Sequence, residues 1–118
     1  IHGYSVKYED VWFFGCSDVN IAMHNIPDSA VFDLLRKGFS GINYLNKKIM
    51  VSHVHPSGTK MEKMSRFVPG SMGVKKAIEE LKPNVLLCSH VHEADGIEEL
   101  LGETRVINVG SSGKVFDI

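Results

Sequence analysis

The tetrapeptide Ser-His-Val-His occurs twice in this 118-residue sequence, at 52–55 and at 89–92, each time directly after a short apolar run. Six histidines in a chain of this size are the oddity of its composition. Two imidazoles spaced i, i+2 lie on one side of an extended backbone, and neutral imidazole suits Zn, Mn, Fe, Co or Ni. If both copies end neighbouring strands, His53, His55, His90 and His92 converge, and a divalent metal is the natural occupant. The plainer reading of any one of them is a surface or hydrogen-bonded histidine beside a strand; the repetition at equivalent strand ends favours the metal. An acidic ligand is missing from the set, although hydrolytic centres use bridging carboxylates to hold two ions about 4 Å apart. Glu93 and Asp95 are the nearest acids and neither is placed to bridge, so the visible ligand set is incomplete.

Strands must deliver these rings. Ile49-Met50-Val51 and Asn84-Val85-Leu86-Leu87-Cys88 read as buried strands that stop at their tetrapeptides. Between them, residues 57–70 read as a long loop carrying Gly58, Pro69, Gly70 and the basic Lys60, Lys63 and Arg66. Ser71 then caps a helix whose Val74, Ala77, Ile78 and Leu81 share a face, and Pro83 stops it. Strand, loop, helix and strand in this order form a right-handed parallel unit, which places both tetrapeptides at the carboxyl edge of one sheet, where open α/β sheets bind ligands.

Elsewhere, residues 4–17 alternate around the turn-prone Glu9-Asp10 and predict a hairpin with an aromatic second strand. A polar stretch over 18–27 leads to a helix capped by Asp28 or Ser29 and running through Ala30, Val31, Leu34 and Leu35. At the far end, Arg105–Val109 and Lys114–Phe116 flank Gly110-Ser111-Ser112-Gly113 as strand, turn and strand.

Composition bounds the class. With 43% hydrophobic residues, 23% charged and a net charge of −1, the chain reads as one ordinary domain or part of one. A domain of this size buries roughly two-thirds of the surface of its unfolded form, so it needs no disulfide scaffold. Near-neutral charge argues against nucleic-acid or polybasic membrane binding. No apolar run approaches the roughly 18 residues that span a bilayer. Cys16 and Cys88 are too few for a disulfide framework and fit a reducing, cytoplasmic setting. The first residue is Ile1, so the chain is expected to begin after processing or within something longer.

Several motifs in order resemble the C-terminal half of the calcineurin-like metallophosphoesterases, and most resemble the small prokaryotic, especially archaeal, phosphoesterases. They are His53 after an apolar strand and Ser52, then Pro56 and Gly58-Thr59, Gly70-Ser71, Leu87-Cys88-Ser89-His90-Val91-His92-Glu93, and Ile107-Asn108-Val109-Gly110-Ser111. The match runs over about residues 49–113. Carried over position by position, His53 resembles the lone metal-binding histidine of the fourth family motif, and His90 and His92 resemble the two histidines of Gly-His-x-His. The resemblance assigns His53 and His90 to one metal and His92 to the other. His55 stands where relatives often have proline, and is expected to be an exposed loop histidine, with a substrate contact as the alternative. Ser89 replaces the usual glycine, and Val109 replaces the proline of Asn-Pro-Gly.

The resemblance implies a hydrolase with two divalent transition-metal ions (Mn, Fe, Zn, Ni or Co) acting on a phosphate ester. It implies an α/β (α+β) fold: half of a four-layer α/β/β/α sandwich, with a mixed sheet and flanking helices. On that reading residues 1–118 are the C-terminal portion of a single domain. Family motifs Asp-x-His, Gly-Asp-x-x-Asp and Gly-Asn-His-Asp/Glu, which supply the bridging aspartate, an asparagine ligand and the general acid, do not occur; Asp18, Asn20 and His2-Gly3 do not reproduce them. The chain is therefore expected to carry only the histidine share of the site, to show little hydrolysis alone, and to expose an apolar sheet face around Trp12-Phe13-Phe14. Its missing N-terminal half or a second copy would cover that face. Two other readings stand beside the enzyme: a non-catalytic scaffold on the same fold, like the retromer subunit that resembles these enzymes, and a structural zinc site made by the paired tetrapeptides.

Other residues carry weaker expectations. Ser71 is a plain helix cap before it is an oxyanion site. Lys60, Lys63 and Arg66 are solvated loop residues before they are phosphate contacts. Cys88 is a buried thiol before it is a ligand. Asn108 satisfies loop backbone, with a substrate contact as the alternative.

Overall fold

The computed structural model describes residues 1–17, 27–65 and 69–118. Asp18, Asn20 and Arg66 lie outside the described residues. Strands β1 (Ser5–Tyr8) and β2 (Val11–Cys16) form the hairpin predicted around Glu9-Asp10, with Tyr8 opposite Val11 and Glu9 at a positive φ of 51°. Helix α1 (Asp28–Phe39) leads to β3 (Lys47–Ser52). A short helix α2 (Lys60–Met64) and then α3 (Met72–Leu81) lead to β4 (Val85–Cys88), followed by β5 (Glu98–Leu101) and β6 (Thr104–Asn108).

These strands form one mixed sheet in the order β1-β2-β3-β4-β6-β5. β2, β3, β4 and β6 run parallel, and the antiparallel β1 and β5 close the two edges. The chain adds β2, β3 and β4 in one direction, so right-handed crossovers put α1 and α3 on the same side of the sheet, where they pack together. Strand alternation then splits the apolar residues into two sets. Trp12, Phe14, Met50, Leu86 and Val106 pack with Val31, Leu35, Val74 and Ala77 beneath the helices. Val11, Phe13, Ile49, Val51, Val85, Leu87, Ile107 and Val109 line the opposite face.

Among the described residues no helix packs on that second face. Phe116 of the C-terminal tail lies on it beside the Arg105 guanidinium, while Ile118 accepts a hydrogen bond from the Lys47 ammonium. Register sets Val6 beside Phe13 and Tyr8 beside Val11, so β1 extends the same face, with Tyr8 71% exposed and Val6 44%. The expectation of a bare apolar face around residues 12–14 needs one correction. Only Phe13 faces outward there, because alternation turns Phe14 fully into the helical core and packs Trp12 against it.

Three other expectations change. Residues 57–70 are not all loop, since α2 forms within them with Thr59 as cap, its hydroxyl accepting from the Glu62 N–H. α1 has Pro27 at its cap position and no side-chain cap. Residues 114–116 are not a strand; β6 pairs instead with β5 across a two-residue turn, Leu101 opposite Thr104, with Gly102 at φ 63°. Among the described residues no helix is long and apolar enough to cross a membrane.

Candidate functional site

β3 and β4 are adjacent and parallel, with Val51 level with Leu87, so both tetrapeptides leave the sheet at its carboxyl edge side by side. There the Nε2 atom of His53 lies 2.7 Å from Nδ1 of His90, with the rings nearly perpendicular and their centroids 4.7 Å apart. One nitrogen carries a proton and the other accepts it.

The backbone around His90 is unusual. Its φ is 69°, and the Val91 N–H donates to the Ser89 carbonyl at 2.7 Å, closing a three-residue turn on His90. The Ser89 N–H donates to the His53 carbonyl at 3.1 Å, which ties the two strand ends together. Asn108 is wholly buried behind this turn. Its amide donates to the Val91 carbonyl at 2.9 Å and accepts from the Gly110 N–H at 3.0 Å, so both ends of the side chain serve loop backbone.

His55 is also wholly buried, which corrects the expectation of an exposed loop histidine. The Ser71 N–H donates to the His55 carbonyl at 2.9 Å and the Ser57 N–H to the Ser71 carbonyl at 3.1 Å, pinning this loop inward against the start of α3. Glu62 completes the anchorage, accepting from the Gly58 N–H at 3.2 Å and the Gly70 N–H at 2.6 Å. Burial alone would raise the Glu62 pKa. Those two N–H groups, the Ser57 hydroxyl and the nearby His55 together outweigh it and hold the carboxyl below its usual range.

His92 opens a single 3-10 turn (His92–Ala94) and is exposed. Among the described residues, no three His, Cys, Asp or Glu side chains are grouped so as to hold a metal ion. The structure thus brings His53 and His90 together and does not bring His92 to them. Two ligands about 2.1 Å from one ion and at right angles about it lie about 3.0 Å apart. The observed 2.7 Å separation is shorter than that and is the spacing of a hydrogen bond between the two rings.

A cavity of about 430 Å³ opens beside the pair, with His53, Ser89 and Cys16 on its wall and Val51, Leu87 and Val109 as an apolar floor. His2 lines it too, placed by a bridge to Gly15, its Nδ1 accepting from the Ser17 N–H at 3.0 Å. Nothing in its sequence context signals that position. Ser71 caps α3 by accepting from the Val74 N–H, and Lys60 and Lys63 are exposed. Cys88 is buried with its Sγ 3.7 Å from Sδ of Met61. Both cysteines are buried thiols outside any disulfide.

No family model and no curated protein matches the sequence. Two solved structures share the fold. One, with no functional name in its description, superposes at a TM-score of 0.69 with 21% identity, over 93% of this chain and 45% of its own. The other, TT1561 of Thermus thermophilus, gives a TM-score of 0.64 with 19% identity, over 92% of this chain and 48% of its own. The chain spans about half the length of each.

Proposed function

We propose that this chain is the C-terminal part of a metal-dependent phosphoesterase and contributes His53 and His90 to its metal centre, with His92 as a ligand of a second ion. The observation that carries the reading is the 2.7 Å approach of two imidazole nitrogens at the carboxyl edge of adjacent parallel strands. Two imidazoles in contact beside a cavity, at the edge where such sheets bind ligands, need only lose the shared proton and part by a few tenths of an ångström to face one ion together. His53 presents Nε2 and His90 presents Nδ1, and the buried Asn108 keeps the loop behind them fixed. Divalent ions bound there would neutralise charge developing on phosphoryl oxygens and lower the pKa of the attacking water. The substrate is a phosphomonoester or phosphodiester. The open sheet face is the surface on which the rest of the domain, or a second copy, packs. Buried thiols outside any disulfide fit a cytoplasmic location.

A scaffold on the same fold is the second reading, in which His53 and His90 brace the loop by their mutual hydrogen bond. Assay with Mn²⁺ and a chromogenic phosphodiester separates the two. The 118-residue chain alone is expected to show little or no turnover. The polypeptide encoded with its upstream sequence is expected to hydrolyse the ester, and to lose at least about a hundredfold on His53→Ala or His90→Ala. An inactive upstream-extended polypeptide, or turnover that survives both substitutions, overturns the enzyme reading.

A further inference from the structure

We propose that His2 is a specificity-determining residue of the cavity and hydrogen-bonds the organic part of a phosphate ester through Nε2–H; the phosphate end of that ligand rests on the metal-centre reading above. Backbone register puts the residue there. Pairing of β1 with β2 stops at Ser5 opposite Phe14, and His2 takes up the next level by bridging Gly15 in parallel, while the Gly3 N–H donates to the Gly15 carbonyl at 2.9 Å. Gly3 itself is buried at φ 78°, where a Cβ would lie 3.1 Å from Cδ2 of Leu34. Backbone and close packing hold this turn, and the imidazole is carried on it.

Gly15 is level with Val51, and Val51 with Leu87. Four backbones therefore lie side by side, and at about 4.8 Å per step the row runs about 14 Å from His2 to Leu87. The cavity follows this row, with His2 and Ser17 toward one end and His53 and Ser89 toward the other. A phosphoryl group held by His53 and His90 fills only the end over β3 and β4. The whole cavity, about 430 Å³, falls within the roughly 300–1,000 Å³ of pockets that hold entire small organic molecules. Val51, Leu87 and Val109 offer the organic part an apolar floor. Its polar contact at the far end is set by a tautomer. Nδ1 of His2 accepts from the Ser17 N–H at 3.0 Å, so the hydrogen of the neutral ring is on Nε2. His2 is exposed, and Nε2–H is the polar group it offers a ligand. The cavity thus matches an ester whose alcohol part is apolar and ends in a hydrogen-bond acceptor.

The test titrates the 118-residue chain, with Zn²⁺ present, with p-nitrophenyl phosphate and separately with nitrobenzene, following methyl and imidazole resonances. Asparagine at position 2 keeps an acceptor for the Ser17 N–H without a donor at the Nε2 position; glutamine reaches as far as Nε2 and keeps a donor. Wild type is expected to bind p-nitrophenyl phosphate with shifts at the Val51, Leu87 and Val109 methyls and at the His2 ring. His2→Gln is expected to bind within about threefold of wild type, and His2→Asn and His2→Ala about tenfold more weakly. If His2→Ala does not fold, His2→Asn decides. Equal binding by His2→Asn and wild type overturns the role of His2 and leaves the metal reading standing. Wild type without methyl shifts overturns it as well. Nitrobenzene binding that equals that of the ester and still depends on position 2 upholds His2 and removes the phosphate reading.

Discussion

The carboxylate of Asp28 accepts a hydrogen bond from the Ser71 hydroxyl at 2.9 Å and another from the Gly73 N–H at 3.1 Å, joining the first residue of α1 to the first turn of α3. The two helix starts meet so closely that a Cβ on Gly73 would lie 2.3 Å from the Asp28 carbonyl oxygen. That pair of crossovers sets β3 and β4 side by side, and through them the two histidines.

Gly73→Ala tests that approach, because intrinsic helix propensity and packing predict opposite signs. Propensity favours alanine by about 0.8–1 kcal/mol. Backbone contact should win, and the variant is expected to be less stable by about 1–3 kcal/mol in urea unfolding. A stabilised Gly73→Ala would mean that the helices are further apart than described.

Glu62 gives the protein an acid-sensitive loop. Its folded pKa lies below the usual 4.5, so the folded state binds fewer protons than the unfolded one there. Its contribution is full above pH 4.5 and is lost as pH falls through the lower folded value. Urea midpoints measured from about pH 6 to 3 should drop more steeply for wild type than for Glu62→Gln, with about 1 kcal/mol between them at neutral pH. Parallel curves would refute the anchorage.

Asn108→Ala should cost about 1–3 kcal/mol, because it strips a buried donor from the Val91 carbonyl and an acceptor from the Gly110 N–H. Hydrogen exchange at Gly110 should quicken in the variant. Asn108→Asp should restore protection at Gly110 while leaving the Val91 carbonyl without that donor. Unchanged exchange in Asn108→Ala would show that the amide does not brace the loop.

Val6 and Tyr8, 44% and 71% exposed, extend the open face beside Phe13 and Val11. A double change to serine is expected to lower binding of a hydrophobic dye to the open face while shifting stability by no more than about 0.5 kcal/mol per site. Dye fluorescence equal to wild type would place the sticky surface elsewhere.

Much of this was readable in the residues. The runs at 49–51 and 84–88 announced strands because parallel strands are buried on both faces, and Ser71 announced α3 because its hydroxyl has an N–H to accept from. The crossover rule places both tetrapeptides at one sheet edge; of the four imidazoles expected to converge there, His53 and His90 meet. Other features were hidden for physical reasons. Thr59-Lys60-Met61-Glu62 carries the Thr-x-x-Glu signature of a helix start, but it sits among basic residues without a long apolar period, so α2 was obscured. Glu98-Glu99-Leu100-Leu101 is a strand because β6 offers it an edge, and its composition does not say so. The burial of His55 depends on hydrogen bonds to Ser71, sixteen positions away, which no local pattern encodes.

Both crossovers travel the same way across the sheet, and α1 and α3 consequently lie on one flank. The side opposite them keeps Phe13, Val51, Leu87 and Val109 only partly covered, so at any boundary between oil and water it is the side that turns toward the oil.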